Sequence, residues 1–184
     1  MPRQVSRLLI MSVLFGLVSC SSHPPMKTVD YVDLPRYMGD WYVIANIPTF
    51  IERNAYNAVE RYELSDDGSV ATTFTFNKGG FNGPLKTYRP TGHIVDRESN
   101  AHWGMQFVWP VKGDFRIVYL DDGYQNTIIG RQARDFVWIM SRQPKIDEKR
   151  YEELRQFVKS LGYDISKLQK VPQKPGEMAR GKAG

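Results

Sequence analysis

One cysteine stands in the 184-residue chain, Cys20, so the fold has no internal disulfide and rests on its core and hydrogen bonds. The three histidines, His23, His93 and His102, lack metal-ligand spacing, and no cysteine cluster accompanies them, so no metal site is expected. There is no G-x-S-x-G elbow, no H-E-x-x-H pair and no Gly-rich phosphate loop. No nucleophile, base and orienting group stand together; the expectation is a protein that catalyses nothing and carries no cofactor. The net charge of +5 includes Arg3 and Arg7 near the N-terminus, and no Lys/Arg stripe forms, so nucleic acid is not an expected partner.

The chemistry available is that of Cys20. Arg3 and Arg7 precede an apolar run, residues 8–18 (LLIMSVLFGLV), shorter than the about 20 residues that span a bilayer. It has the size of a signal-peptide core. Leu17-Val18-Ser19-Cys20 resembles the bacterial lipobox, in which the signal is cut before the cysteine and the cysteine is acylated. The resemblance implies a signal peptide over 1–19, a lipidated tether over 20–29 and, with Ser21 after the cysteine, the outer membrane, the domain facing the periplasm. Two or more acyl chains hold a protein where one would not. Ser21 to Pro25 reads as flexible.

From Trp41 onward, short β-rich runs alternate with turn residues, and eight strands are expected, over 41–47, 57–64, 70–76, 85–96, 101–109, 114–120, 126–133 and 136–142. Pro90 and Gly92 predict a bend or bulge within the fourth. Asp147 predicts a helix cap, with Tyr151, Leu154, Phe157, Val158 and Leu161 at helical spacing and Gly162 as the stop. Eight strands followed by one amphipathic helix predict an all-β fold: an antiparallel up-and-down barrel with one C-terminal helix on its wall. The barrel and helix are assigned to 30–172. A short strand is expected from Val171, and 173–184, rich in Pro, Lys and Gly, as a disordered tail.

Gly39-Asp40-Trp41 before the first strand, Asp121 and Tyr124 in a D-x-x-Y pattern between the sixth and seventh, and Arg142 ending the eighth resemble, in order, the three lipocalin motifs. Residues 32–37 (VDLPRY) resemble the short helix that plugs the closed end. Together with the lipobox, the nearest likeness is to bacterial lipocalins related to apolipoprotein D. The resemblance implies a structural role for Gly39, Trp41, Asp121, Tyr124 and Arg142, with Arg142 stacked on Trp41. It implies a lipid ligand such as a fatty acid or lysophospholipid, a role in membrane maintenance, and a monomer or homodimer.

Strand parity anchored on Trp41 and Arg142 turns Val43, Ala45 and Ile47 inward from the first strand, and Ala58, Glu60 and Tyr62 from the second. Trp103, Met105, Phe107 and Trp109 follow from the fifth, Phe115, Ile117 and Tyr119 from the sixth, and Phe136, Trp138 and Met140 from the eighth. The expected ligand contacts are Glu60, Tyr62, Trp103, Met105, Phe107, Phe115, Ile117, Tyr119, Trp138 and Met140. Two readings of the interior stand: an open apolar cavity, with Ala45, Ala58 and Gly130 leaving room, or a filled core in a purely structural lipoprotein. A lipocalin-fold enzyme acting on a lipid is a third. Glu60 is either an inward carboxyl with a raised pKa and a tyrosine or arginine partner, or a rim residue of the opposite parity. The connection 48–54 corresponds to a lid, whose Phe50 and Ile51 would cover a ligand or touch a membrane and whose Arg53 would meet a head group.

Overall fold

The strand-forming runs pair with their neighbours in chain order, all antiparallel, and the last returns to the first. The computed structural model describes residues 23–108 and 110–174; the signal segment, Cys20 with its lipobox, Trp109 and residues 175–184 lie outside them. The strands are β1 (Gly39–Ile47), β2 (Ala55–Leu64), β3 (Val70–Lys78), β4 (Leu85–Tyr88), β5 (Thr91–Asp96), β6 (His102–Val108), β7 (Val111–Leu120), β8 (Asn126–Gly130), β9 (Val137–Ser141) and β10 (Gln169–Lys170). β4 and β5 are the expected fourth strand cut in two at Arg89-Pro90. Proline has no N–H to give a ladder, and the Pro90 carbonyl instead accepts the Thr72 N–H at 3.1 Å. Counted as one, and with the two-residue β10 set aside, they make an eight-stranded barrel. Pairing of Tyr42–Ile47 on β1 with Val137–Ser141 on β9 closes it and leaves neither strand as a free edge.

Helix α1 (Leu34–Tyr37) starts at Asp33, whose carboxylate accepts the Arg36 N–H, and carries Pro35 in its first turn. It pushes the fully buried Tyr37 into one end of the barrel. Helix α2 (Glu148–Ser160) has the expected Asp147 cap, and Gly162 closes it at φ +92°. Tyr151, Leu154 and Val158 pack on Ile44, Ala45, Ile128 and Ile139, so the barrel wall is apolar on its outside here too.

Three of the five register shifts overturn the expected parity. Between Val43 and Ala45 the β1–β9 register shifts by one residue, so Ala45 and Ile47 face α2 rather than the interior, and Asn46, paired with Trp138, turns inward. A shift between Ile117 and Tyr119 likewise turns Tyr119 out against Phe157, at 5.2 Å between ring centroids. The third, between Gln106 and Val108, leaves Phe107 out of the ladder and 55% exposed. The interior expectations for Ala45, Ile47, Tyr119 and Phe107 are thus corrected by one cause, an extra residue in a strand. Gly130 does not widen the interior either: a Cβ there would meet Met26 Sδ and Tyr163 Oη at 2.9 Å, both on the outer side.

The described residues of the two ends are laid on the barrel. Met26 is buried, and the Val29 N–H donates to the Ile117 carbonyl. At the other end β2 leaves β1 beyond Val59, at a bulge where Asn57 adopts φ +49°. The strand expected from Val171 forms two residues earlier, as β10, and fills the gap against Ala45 and Asn46. Gln173, expected in the tail, donates from Nε2 to the carbonyls of Val43 and Ala58, both at 2.9 Å, bridging the parted strands.

Candidate functional site

The closed end is built first. Trp41, fully buried, lies with the Arg142 guanidinium 3.8 Å from its ring centroid. Its Nε1 donates to the Tyr37 carbonyl at 2.9 Å. Arg142 donates to the carbonyls of Arg36, Tyr37, Met38 and Asp40 at 2.8–3.0 Å, tying β9 to α1 and the start of β1. Gly39 holds φ +94°, and a Cβ there would come within 3.4 Å of Arg142 Nη1. The Asp121 carboxylate accepts the N–H groups of Gln125 and Asn126 and an Arg150 N–H, joining the β7–β8 turn to α2. The Tyr124 hydroxyl accepts the Asp33 N–H, and Arg36 lies 4.0 Å from the Tyr124 ring centroid. Trp41, Asp121, Tyr124 and Arg142 each hold two elements together at this end, and Gly39 leaves room for Arg142.

Above this plug the interior is stacked with rings. Tyr62 meets Trp103 edge to face at 5.6 Å, Trp103 lies flat on Phe115 at 5.4 Å, and Phe115 reaches Trp138 at 6.5 Å. Met105, Ile117 and Met140 complete this cluster with Val43 and Ala58, as parity predicts. Phe136, also expected inward, touches the Trp138 ring at 6.5 Å under the Arg131 guanidinium. Parity did not reach the third and fourth strands, which add Phe74, Phe76 and Tyr88, in mutual ring contact at 5.1–6.4 Å. An alternating F-T-F pattern in the sequence was the available signal.

Glu60 is inward. Its backbone pairs with Trp41 on one side and Phe74 on the other, both in the interior cluster, and its carboxylate accepts the Tyr62 hydroxyl at 2.7 Å. Among these rings it is nevertheless not fully covered. Burial, reinforced by the negative charge of Glu52 and opposed by the Tyr62 hydrogen bond, pushes its carboxyl up to about 7. Desolvation next to Glu60 pushes the Tyr62 hydroxyl well above its ordinary value.

The lid, residues 48–54, folds a second acid inward, one that the sequence reading missed. Glu52 is buried, accepts the Trp138 indole N–H at 2.6 Å, and binds the N–H and hydroxyl of Thr49 at 2.8 and 2.7 Å. Thr49-Phe50-Ile51-Glu52 has the T-x-x-E spacing of a capping box, which is the signal for it. Lys78 Nζ fastens the loop from outside through the carbonyls of Ile51 and Arg53. Phe50 is left 78% exposed. Beside the lid a polar cavity of about 150 Å³ is lined by Asn46, Glu52, Asn54, Tyr56 and the β10 segment.

Tyr119 supplies a test of the bulge. Its hydroxyl accepts an Arg150 N–H, and its ring packs on α2. Tyr119→Ala is expected to cost about 2 kcal/mol of stability and to leave ligand affinity unchanged. Denaturation and binding titrations measure the two; a severalfold affinity loss at unchanged stability would put Tyr119 back on the inner wall.

The family described as a lipocalin-like domain matches residues 32–173. Temperature-induced lipocalin-1 of Arabidopsis thaliana is 33% identical over 157 residues, covering 80% of this chain and 83% of the relative. Outer membrane lipoprotein Blc of Escherichia coli K12 is 31% identical over 168 residues, covering 88% and 92%. Apolipoprotein D of Mus musculus is 25% identical over 169 residues, covering 86% and 85%. Among solved structures, insecticyanin of the tobacco hornworm Manduca sexta superposes with a TM-score of 0.66 at 17% identity, covering 86% of this chain and 89% of that one, a likeness of fold.

Proposed function

We propose that this chain, which belongs to the lipocalin family, is an outer-membrane lipoprotein that binds a single-chain amphiphile in its barrel, tail inward and head at the mouth. The observation that carries the reading is Glu60: a carboxylate set among interior rings keeps part of its surface uncovered, which supports a lumen with free space at that depth over a filled one. Above it, Trp138, Tyr88 and Phe74 offer apolar wall, and the polar cavity beside Glu52 and Asn54 offers room for a head group. The relative named outer membrane lipoprotein, together with the lipobox at Cys20, supports acylation of Cys20 and the outer membrane as the location. Storage or transfer of fatty acids or lysophospholipids for membrane maintenance follows as the role.

Lipids co-purifying with the protein from its native membrane identify the ligand by mass spectrometry, and the intact mass of the same sample reports the acyl groups on Cys20. Affinity is then measured by tryptophan fluorescence over a series of lysolipids and fatty acids of increasing length. Each added CH₂ contributes about 0.8 kcal/mol, so affinity should rise about threefold to fourfold per carbon and level off once the lumen is full. A flat series would replace this reading with a structural lipoprotein, which the ring stack of Tyr62, Trp103 and Phe115 would then simply fill.

A further inference from the structure

Three observations concern the open end, where the β1–β2, β3–β4, β6–β7 and β8–β9 connections lie. The first is apolar exposure. Phe50, Phe107 and Val111 are 78%, 55% and 70% exposed, and Phe81 stands out beside Tyr56; they come from three different connections of this one rim. Apolar side chains gathered on one rim mark a contact surface.

The second is charge. Arg53, Lys86 and Lys112 are exposed around the same rim, with Arg131 and Arg134 on the β8–β9 connection. The acids there are Glu52, buried in the lid, Asp135, paired with Arg131 at 3.4 Å, and Asp114, which accepts the Gln132 N–H and pairs with Arg116 at 3.0 Å. The connections at the opposite end carry Asp66, Asp67, Glu98, Asp121 and Asp122 against the single cation Arg97, all exposed except the partly covered Asp121. The barrel is therefore basic at its mouth and acidic at its plug.

The third is the path of the N-terminal segment. It passes the closed end at Val32, runs up the outside of the wall, and is fixed to the β8–β9 connection. Gln132 Nε2 donates to the carbonyls of His23 and Pro24, Arg134 Nη2 donates to that of Pro24, and the Met26 N–H donates to Gln132 Oε1. Cys20 is three residues before His23, a reach of about 10 Å at full extension. The anchor therefore leaves the barrel at the mouth, not at the plug.

We propose that the barrel sits mouth-down on the leaflet that holds its own anchor, with Phe50, Phe107 and Val111 in the headgroup layer and the basic rim on anionic lipid. An acyl chain beside a basic, apolar surface is the two-signal arrangement that holds proteins at membranes. In this pose a single-chain lipid passes between leaflet and lumen without its tail crossing water. The inference rests on the reading of Cys20 as the acylated residue, and the experiment separates the two.

One nitroxide is placed at Phe107→Cys or at Leu64→Cys, both exposed, in the full chain reconstituted in phosphatidylethanolamine vesicles with a minority of phosphatidylglycerol. Acylated Cys20 takes no label. At position 107 the label should be relaxed by oxygen, which concentrates in lipid, and protected from a water-soluble nickel chelate; at position 64, by the closed end, the order should reverse. Phe50→Glu with Val111→Glu should abolish the difference. Aqueous behaviour at both positions, or lipid contact at 64 alone, overturns the proposal. So does a label at 107 shielded from both probes, which would mean that a second protein molecule covers the rim. An intact mass without acyl chains removes the anchor reading instead. The same two labels on the Cys20→Ser chain then decide the rim by itself: preferential lipid contact at 107 on anionic vesicles retains it, and no binding removes it.

Discussion

Trp41→Ala should lower the folding free energy by about 3–5 kcal/mol, the cost of emptying a buried indole site. The ring is fully buried, and three things besides its area depend on it: the stacking of Arg142, the hydrogen bond to the Tyr37 carbonyl, and the tilted contact with the Tyr37 ring at 5.0 Å. Alanine leaves a cavity that the closed end cannot collapse into, because Arg142 is held over it by four carbonyls on α1 and the start of β1. The converse change, Arg142→Met, keeps some bulk over the indole but strands those carbonyls; it should cost about 3 kcal/mol. The two losses overlap, so the double variant should fall short of their sum by about 1 kcal/mol or more. Urea denaturation of the ligand-free Cys20→Ser chain measures all three. A Trp41→Ala effect below about 1 kcal/mol would mean that the barrel is not closed through this residue.

The closed end was legible in the sequence because its residues act at fixed spacing. A glycine two before a tryptophan, an arginine at the last strand's end and a D-x-x-Y turn occupy positions that no insertion displaces. The wall was legible only between bulges. Strand parity is a period of two, and a single extra residue at Ile44, Val118 or Phe107 inverts every assignment beyond it. None of the three sites carries glycine or proline, so hydrophobicity alone could not show them; Ile44 and Val118 are as apolar as their neighbours because the wall is covered by α2 on its outer face. The same helix explains why Tyr119 read as lumen. Glu52 was legible only in part: the T-x-x-E spacing signals its bonds to Thr49, but its inward role depends on the loop folding back to Trp138, a contact 86 residues distant. The C-terminal seam was missed because Gln173 acts through a side-chain amide bridging two parted strands, in a segment whose composition reads as tail.

Glu60→Gln should stabilise the ligand-free protein at pH 8 and leave it little changed at pH 4.5. The folded carboxyl is pushed up to about 7, against 4.5 for a free glutamate. A raised acid binds its proton more tightly in the folded than in the unfolded chain, so its contribution is fully present below about pH 4.5. It is lost as pH rises to 7, where the folded state must hold a carboxylate among rings and the unfolded chain need not. The shift corresponds to about 3 kcal/mol. Asp114 and Asp121 are both held below the usual carboxylate range despite partial burial, Asp114 by the Gln132 N–H and Arg116 and Asp121 by Asn126, the Gln125 N–H and Arg150. Their stabilisation is lost only as pH falls below the ordinary aspartate range, outside the window of Glu60. Glutamine keeps an oxygen for the Tyr62 hydroxyl and cannot ionise, so the difference between the two proteins isolates Glu60. Denaturation midpoints taken from pH 4.5 to 8 should diverge steadily, the variant becoming the more stable. The same charge acts on a ligand. The mouth, where the head group sits, is separated from Glu60 by the wall of Trp138, Tyr88 and Phe74, so Glu60 lies beside the tail, and its ionisation disfavours an apolar tail whatever the head carries. Affinities for a fatty acid and for a neutral monoacylglycerol should therefore fall in parallel on going from pH 6 to pH 8, and Glu60→Gln should flatten both curves. A fall confined to the fatty acid would put its head beside Glu60, deep in the barrel and not at the mouth.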